Sequence, residues 1–294
     1  MKLKILQLLC YFDVFNHPLS LNELKALIGS KEEEHVQQAI DALLEENTIY
    51  ASHNYFGIRD SITDQVQVRN EKESRAKKYY RKLPRYLRII KAFPFVRGVA
   101  ISGSLSKNVM HEDGDIDYFI VTAPGRLWIC RTLLILFKKV FLLNSRKYFC
   151  LNYFVDENNL EIIDKNIFTA IEINYLIPVY NTALFNDLKT ENTWTKDYFP
   201  GSGPDSSIVP MEPKRGLKKV AEFFFYGAWG DRIDLFFMKR TYTRWQNKFK
   251  GFDAKKFELT MRTNRGVSKH HPRDFQSKVL NEYETRLNQL GLES

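Results

Sequence analysis

Apolar positions recur with a helical period through most of the first 60 residues. An apolar stretch from Lys2 to Phe15 ends at His17-Pro18, where proline lacks a backbone donor and disfavours helix at the residue before it. The segment Ser20–Glu23, SLNE, is a capping box that opens a second helix, and a third helix with one apolar face follows. Two short apolar segments then flank Asn54. The pattern predicts three helices and a β-hairpin over residues 1–62.

Three helices followed by a hairpin resemble a winged helix-turn-helix domain. The third helix would then be the one that enters a DNA groove, yet residues 31–46 contain six acidic residues and one lysine. Because Lys and Arg contacts to phosphates supply most DNA affinity, this helix has the wrong charge for DNA. We expect a structural or protein-docking role for the domain instead of DNA binding.

Residues 63–94 are predicted to form a basic helical connector. Residues 69–91 contain ten Lys or Arg and two Glu, with Tyr79, Tyr80 and Tyr86 between them. Such a run is typical of a solvated helix. The alternative is a cationic wall beside a phosphate site, which its position before the next segment favours.

From Phe95 the pattern changes to short apolar strands that alternate with helices. The strands VRGVAIS, DIDYFIVT and KYFCLNYFV, and the helix RLWICRTLLILFKKVFLL, lie within residues 95–165. Residues 166–294 are predicted to be helical, with a Pro/Gly-rich loop at 190–213.

Two aspartates precede the apolar part of the second of these strands. On a strand, residues i and i+2 point to the same face, so Asp115 and Asp117 are expected to project together while Ile116 and Tyr118 face the other way. An exposed strand with an acidic outer face is the simpler explanation, but the apolar residues that follow indicate a central strand. Two neighbouring carboxylates in a central strand suit Mg²⁺ or Mn²⁺, which complete their coordination with water and substrate phosphates. We therefore predict that both aspartates are metal ligands.

A glycine and a serine end the strand before these aspartates. Gly103 allows the backbone to turn into a short helix whose free N–H groups suit a phosphate, and Ser104 adds a hydroxyl. Lys107 follows one helical turn later and adds positive charge. An ordinary tight turn explains Gly-Ser equally well when it is considered alone.

Three familiar motifs do not match, because residues that they require are missing. Gly98 and Gly103 have the separation of a Walker loop, but Ser104 stands where lysine is required. The Gly-x-Gly-x-x-Gly dinucleotide fingerprint is absent. The aspartates of 113–117 imitate a calcium loop, but Tyr118 occupies the position of the required glycine.

The remaining pattern is an apolar strand, Gly-Ser, ten intervening residues and then Asp-apolar-Asp leading into a second strand. It resembles the signature of the DNA polymerase beta-like nucleotidyltransferase superfamily over roughly residues 85–165. The resemblance implies a small mixed sheet flanked by helices, with Gly103 and Ser104 on the β- and γ-phosphates and Asp115 and Asp117 as catalytic metal ligands. The predicted fold class is thus α/β (α+β), with this core between a winged-helix-like domain and a helical C-terminal region.

One position departs from the pattern that the resemblance implies. Active members of the superfamily commonly have a third acid on a later strand, and Asn152 is the central polar residue of the corresponding strand here. Asp156, Glu157 and Glu161 follow that strand, and one of them would have to reach back to replace the missing acid. Otherwise the chemistry is slow, or the protein binds nucleotide without turnover.

The pair His270-His271 is a further candidate feature. We expect at most a loop facing the cleft, since no second cluster of metal ligands accompanies it. Its basic neighbours would contact a phosphate-bearing acceptor; they are Arg262, Arg265, Lys269 and Arg273.

Composition limits the classes of function. Net charge is +9, with −4 in residues 1–60 and hence +13 in the remainder, which attracts a phosphate-bearing partner of some kind. No apolar stretch reaches the roughly 18 residues of a membrane span, and no signal peptide is predicted. The three separated cysteines, Cys10, Cys130 and Cys150, are expected to be buried thiols, so we predict a cytoplasmic protein.

Three functions follow as alternatives. The first is a metal-dependent nucleotidyltransferase that uses a nucleoside triphosphate and an unidentified hydroxyl acceptor on a small molecule, a protein or RNA. The second is a nucleotide-binding regulatory protein with weak or no catalysis. The third, disfavoured by the acidic third helix, is a winged-helix DNA-binding regulator.

Overall fold

The computed structural model describes residues 1–29, 33–201, 203, 208–212 and 218–292. Within these residues the chain is a mixed α/β protein with one three-stranded and one five-stranded sheet. The helices, in chain order, are α1 (Lys2–Asp13), α2 (Leu21–Ile28), α3 (Glu33–Glu45), α4 (Ile62–Ala92), α5 (Gly103–Ser106), α6 (Leu127–Phe141), α7 (Ile167–Asn174), α8 (Thr182–Glu191), α9 (Thr195–Tyr198), α10 (Lys218–Phe223), α11 (Gly227–Lys248), α12 (Ala254–Met261) and α13 (Phe275–Gln289). The strands are β1 (Leu19–Ser20), β2 (Tyr50–Ser52), β3 (Tyr55–Gly57), β4 (Val96–Ser102), β5 (Asp117–Thr122), β6 (Cys150–Asp156), β7 (Ile177–Tyr180) and β8 (Val267–Lys269).

The N-terminal segment has the three helices and the hairpin that the sequence predicts. The capping box forms, because the Ser20 side chain accepts the Glu23 N–H and the Glu23 carboxylate accepts the Ser20 N–H at 2.8 Å. Gly29 ends α2 with φ of +102°, a conformation that favours glycine. Strands β2 and β3 form the hairpin, and β1 pairs with β3 to give the order β1-β3-β2.

The core of the N-terminal segment extends into the C-terminal part of the chain. Buried residues of α1, such as Leu8 and Phe12, share one apolar cluster with Ile171 of α7 and Tyr283 and Leu287 of α13. An ion pair of 2.7 Å between Arg286 Nε and Asp13 Oδ2 joins the same elements. The segment 1–62 is therefore packed against the C-terminal region.

Helix α4 is not a solvated connector. One face of it is buried in the main apolar core through Ala76, Tyr79, Leu83, Leu87 and Ile90. Its cationic positions lie chiefly on the opposite face, as expected for a long amphipathic helix. The apolar face was not recognised in the sequence because many basic residues lie between its apolar positions.

The central sheet has the strand order β7-β4-β5-β6-β8. Strands β5 and β6 are parallel and are joined through α6, whereas the other pairs are antiparallel. The region after residue 166 is mostly helical, as predicted, but it also supplies β7 and β8, which the sequence analysis did not predict. Both are only three or four residues long and are defined by pairing with distant strands.

The predicted loop at 190–213 is interrupted by the end of α8 and by α9. Residues 202, 204–207 and 213 of that segment lie outside the described residues. Among the described helices, none has the length and the apolar character that crossing a bilayer requires. The three cysteines are free thiols and are buried, as predicted.

Candidate functional site

Asp115 and Asp117 bring their carboxylates together at the start of β5. The strand begins at Asp117, so Asp115 precedes it and the prediction that both lie on the strand is corrected. Ile116 and Tyr118 are buried in the main core, as the alternation predicts, and the two half-buried acids point away from it. One carboxylate oxygen from each aspartate and the Cys150 sulfur lie within 4.8 Å of one another.

The third member of this group comes from the neighbouring parallel strand. Asp117 is the register partner of Cys150 on β6, which places the thiol beside the acids. Burial raises the pKa of Cys150, and the charges of Asp117 and Asp115 raise it further. Cys150 is therefore a neutral thiol, and the two carboxylates are the anionic ligands of the group.

The pKa of Asp117 is raised in the folded protein. Burial raises its pKa from 3.8 to about 7, and the nearby Asp115 charge adds to the shift. Hydrogen bonds from Cys150 and Asn152 act in the opposite sense. A carboxyl whose pKa is raised by burial and by a neighbouring like charge is stabilised as the anion when a cation binds.

Gly103 brings the two halves of the sequence pattern into direct contact. Its φ is +66°, in the left-handed region that favours glycine, and it turns β4 into α5. A Cβ at this position would lie 2.7 Å from Asp117 Oδ2, so a side chain here would collide with the carboxylate. Ser102 pairs with Asp117 in the antiparallel register of β4 and β5, which explains this proximity.

The turn at Gly103, called the Gly103 cradle below, leads into α5 as expected, and a carboxylate contacts it. The Gly103 N–H donates to Glu172 Oε2 at 3.3 Å, and Lys107 Nζ donates to Glu172 Oε1 at 2.7 Å. Lys107 also donates to the Gly103 carbonyl oxygen at 3.2 Å. The half-buried Ser104 side chain makes no hydrogen bond within the described part of the chain. Lys107 and Gly103 thus bind an anion in this structure, and that anion is Glu172.

Sequence reasoning missed Glu172. It lies on α7, beyond the segment 95–165 to which the expected core was assigned. A signal was present, because Glu172 is the only charged residue in the apolar stretch from Ile167 to Tyr180. A lone acid among apolar residues needs a partner, and here that partner is Lys107.

Asn152 occupies the position of the expected third acid. Its Nδ2 donates to Asp117 Oδ1 at 3.1 Å and contacts Cys150 Sγ at 3.0 Å. The β5–β6 register shifts by one residue at this point, so Asn152 is the extra residue of a bulge. Bulges commonly redirect a side chain next to a functional site.

None of the three acids at the end of β6 and beyond it belongs to the group of potential ligand atoms around Asp117 in the described residues. Asp156, the last residue of β6, pairs with Thr122 at the opposite end of β5, where it accepts hydrogen bonds from the loop of Asn158 and Asn159. The Glu157 N–H donates to the Thr122 carbonyl oxygen at 3.1 Å, at the same end, and Glu161 forms a surface ion pair of 2.8 Å with Lys165. These alternatives for the third acid are wrong.

The histidine pair lies beside the site. The His270 N–H donates to the Asn152 carbonyl oxygen at 2.9 Å, and the His270 ring stacks near Trp245. Burial and the neighbouring cation Arg131 lower the pKa of His270 to about 3, so its ring is neutral at pH 7. His271 is exposed, and its ring contacts Tyr153 edge-on.

Most of the basic residues around the histidines already have carboxylate partners. Arg262 and Lys269 both bind Asp164, at 2.9 and 2.8 Å. Arg265 binds Asp231 at 2.9 Å. Only Arg273 of the four predicted phosphate contacts is an exposed side chain without an ion pair in the described chain. Three of the four basic residues predicted to contact a phosphate are thus already in ion pairs with carboxylates.

The donor set fits a hard divalent cation. Two carboxylates, one of which has a pKa raised to about 7 by burial and by its neighbour, match the one or two carboxylates with which Mg²⁺ or Mn²⁺ is usually bound. The buried thiol of Cys150 suits a softer metal less well than a thiolate would, since burial keeps its proton in place.

Comparison of the chain with family models, with curated proteins and with solved structures finds no match. The function therefore has to be argued from the geometry above.

Proposed function

We propose that this protein is a metal-dependent nucleotidyltransferase that moves a nucleotide from a nucleoside triphosphate to a hydroxyl acceptor. The observation that carries the proposal is the proximity of Gly103 to Asp117, because a backbone turn suited to phosphate then lies next to a carboxylate pair suited to a metal ion. A strand, Gly-Ser, Asp-x-Asp and a second strand occur both in order along the sequence and together in space. The proposed relationship to the DNA polymerase beta-like superfamily rests on the same arrangement.

Each residue of the site has a role in this proposal. Asp115 and Asp117 hold Mg²⁺ or Mn²⁺, and the Gly103 N–H, the Ser104 hydroxyl and Lys107 hold the β- and γ-phosphates. A bound divalent ion neutralises phosphate charge and favours the ionised form of the attacking hydroxyl. The protein contributes positioning and charge, which are the main sources of rate enhancement in phosphoryl-type transfer.

Binding of a triphosphate requires Lys107 to exchange its partner. In this structure Lys107 Nζ binds Glu172 Oε1, and the Gly103 N–H binds the other oxygen of the same carboxylate. Phosphate oxygens carry more charge than a carboxylate and accept several hydrogen bonds at once. We therefore expect Glu172 to leave the cradle when the nucleotide binds.

A nucleotide-binding protein without turnover is the second candidate function. It is favoured by Asn152, whose neutral amide lies where a third acid would complete the metal site. Two carboxylates suffice for one Mg²⁺–nucleotide complex, whereas activation of a hydroxyl benefits from a further anion. Turnover, not binding, distinguishes the two candidates.

The test is a two-stage measurement on the full chain. Binding of each nucleoside triphosphate is measured by calorimetry with and without Mg²⁺, and pyrophosphate release is then measured with hydroxyl acceptors of the three classes. Metal-dependent binding with release supports the transferase, and metal-dependent binding without release supports the second candidate.

Matched variants make the test specific. Asp115→Asn and Asp117→Asn remove one charge each from the pair, and Asp113→Asn removes the same charge from an exposed neighbour. Loss of binding in the first two with retention in the third is the expected result. Binding that is equal in all three variants would remove both candidate functions.

A further inference from the structure

Arg131 is a half-buried arginine that has aromatic neighbours instead of an acid. Its guanidinium lies 4.8 Å from the Trp245 ring centroid and 5.7 Å from that of Trp128. Burial lowers its pKa to about 10, and the charge of Arg244 acts in the same sense. It stays protonated at pH 7, and no carboxylate in the described chain pairs with it. Because its guanidinium makes no ion pair, its N–H donors remain able to bind an anion.

Lys138, two turns later on α6, is a second inner cation. It is 8% exposed. Burial lowers its pKa; Arg146 and Arg131 lower it further, whereas Cys150 and Asp115 act in the opposite direction. Lys138 therefore lies within electrostatic reach of the acid pair and of two other cations.

Three exposed cations lie on segments next to these two. Arg146 follows Asn144, whose N–H donates to the Lys138 carbonyl oxygen at 3.0 Å. Arg244 and Lys248 lie one turn apart on α11, which packs against α6. Together with Arg131 and Lys138 they are called the cation cluster below. None of its five members forms an ion pair with a carboxylate of the described chain. By contrast, Arg97, Arg126 and Arg286 each have one.

The cation cluster adjoins the acid pair through His270. The His270 ring lies 4.9 Å from that of Trp245, on which Arg131 also packs. The backbone N–H of His270 donates to Asn152, whose side chain donates to Asp117. The cluster and the Gly103 cradle thus both adjoin the acid pair while being built from different elements.

We propose that the cation cluster binds a phosphate group of the acceptor substrate. The inference rests on the nucleotidyltransferase function proposed above and names its acceptor as a phosphorylated molecule. Five cations without anionic partners repel one another, and an anion between α6 and α11 removes that repulsion. The negative charge of Asp115 partly balances the positive charge of Lys138. A metal ion held by Asp115 would neutralise that negative charge and leave Lys138 without this balance. A phosphate held by the cation cluster keeps the acceptor beside the acid pair, to which the cluster is joined through His270 and Asn152.

The test compares phosphorylated and plain probes on the full chain. Ribose 5-phosphate and ribose are titrated by calorimetry in the presence of Mg²⁺ and a non-hydrolysable nucleoside triphosphate. We expect ribose 5-phosphate to bind and ribose not to bind. A 5′-phosphorylated RNA oligonucleotide and its unphosphorylated form distinguish a polymer end from a small molecule as the source of the phosphate, and a preference for either phosphorylated probe supports the site.

Substitutions at the exposed members of the cluster are chosen because they should leave the fold unchanged. The double variant Arg244→Ala with Lys248→Ala is expected to weaken binding of the phosphorylated probe about tenfold or more. Lys239→Ala, on another face of the same helix, is the charge-matched control and is expected to bind as wild type. Thermal melting checks that all three proteins fold equally.

Three outcomes overturn the inference. The first is equal binding of phosphorylated and plain probes in wild type, and the second is unchanged probe binding in the double variant. The third is a loss of nucleoside triphosphate affinity in the double variant, which would assign the cluster to the nucleotide. Failure of the proposed function is seen separately, as triphosphate binding that does not respond to Asp115→Asn and Asp117→Asn.

Discussion

The side-chain amide of Asn152 donates a hydrogen bond to Asp117 across the parallel strands β5 and β6, at 3.1 Å. Asn152 is the extra residue of the bulge in this strand pair, so its side chain is aimed at the acid by the backbone. The amide of Asn152 is a neutral group, so it stabilises the ionised Asp117 without adding charge.

Asn152→Asp should convert this position into a third metal ligand. At pH 8 we expect about tenfold tighter Mn²⁺ binding, and a lower melting temperature without metal because three carboxylates then repel one another. Calorimetry and thermal melting measure the two effects. Asn158→Asp, an exposed change on the same chain segment, is the control and should alter neither. Unchanged metal affinity in Asn152→Asp would show that this position does not face the metal.

The raised pKa of Asp117 predicts a pH dependence of stability. Its pKa is about 7 in the folded protein against 3.8 for an ordinary aspartate, so between these pH values the folded state retains a proton that the unfolded state has lost. Stability from this group is present below pH 4 and is lost as pH rises towards 7. Asp117→Asn should therefore raise the melting temperature at pH 8 by roughly 2–4 °C, and by less at pH 5.

Mg²⁺ should offset the loss of stability that the wild type undergoes as pH rises. It stabilises the ionised Asp117, so it should raise the wild-type melting temperature at pH 8 and leave that of Asp117→Asn nearly unchanged. Melting at pH 5 and 8, with and without Mg²⁺, measures both effects. A larger stabilisation of Asp117→Asn at pH 5 than at pH 8 would contradict this account of the acid pair.

Glu172→Gln should increase the affinity for nucleoside triphosphates by about tenfold. The carboxylate of Glu172 competes with phosphate for Lys107 and the Gly103 N–H, and the neutral amide competes less. Calorimetry with a non-hydrolysable triphosphate and Mg²⁺ measures the change. Glu161→Gln, which breaks the surface ion pair with Lys165, is the control. Weaker binding in Glu172→Gln would instead identify Glu172 as a ligand of the metal or nucleotide.

Glu23→Gln should destabilise the fold without involving the candidate site. Glu23 is buried, binds Arg69 at 2.8 Å and completes the capping box of α2. Loss of its charge leaves Arg69 buried with a weaker partner, so we expect a cost of about 3 kcal/mol at pH 7. Chemical denaturation measures it. Glu71→Gln, in an exposed pair with Arg75, should cost less than about 0.5 kcal/mol.

The Glu23 effect has a defined pH dependence. Although burial raises the pKa of Glu23, the nearby His17 ring and the hydrogen bond from Arg69 hold it well below 4.5. A group with a depressed pKa contributes stability above its unfolded pKa and loses it as pH falls. The difference between wild type and Glu23→Gln should therefore shrink below about pH 4.5. A difference that grows in acid would contradict the ion pair as its cause.

Local signals made part of the fold predictable. A few consecutive residues were enough to predict the local structure in three places: the capping box at Ser20, the turn at Gly103 and the alternation around Tyr118. Strands β7 and β8 were not predictable in this way, because three or four residues become a strand only through pairing with β4 and β6.

The candidate site was predictable to the same extent. Gly103, Asp115 and Asp117 lie close in sequence, so their spacing indicated a common site. Glu172 enters from a helix far along the chain, and the cation cluster combines α6, α11 and the segment before β6. Which of the many basic residues lack acidic partners is a property of the folded chain and not of the sequence.

The central claim is that Asp115 and Asp117 together hold a divalent ion. The most direct measurement is Mn²⁺ binding by electron paramagnetic resonance at pH 8, with and without a nucleoside triphosphate. The account predicts binding by the wild type that tightens with nucleotide, weakens about tenfold or more in both Asp115→Asn and Asp117→Asn, and is unchanged in Asp113→Asn. Equal Mn²⁺ affinity in all four proteins would contradict it.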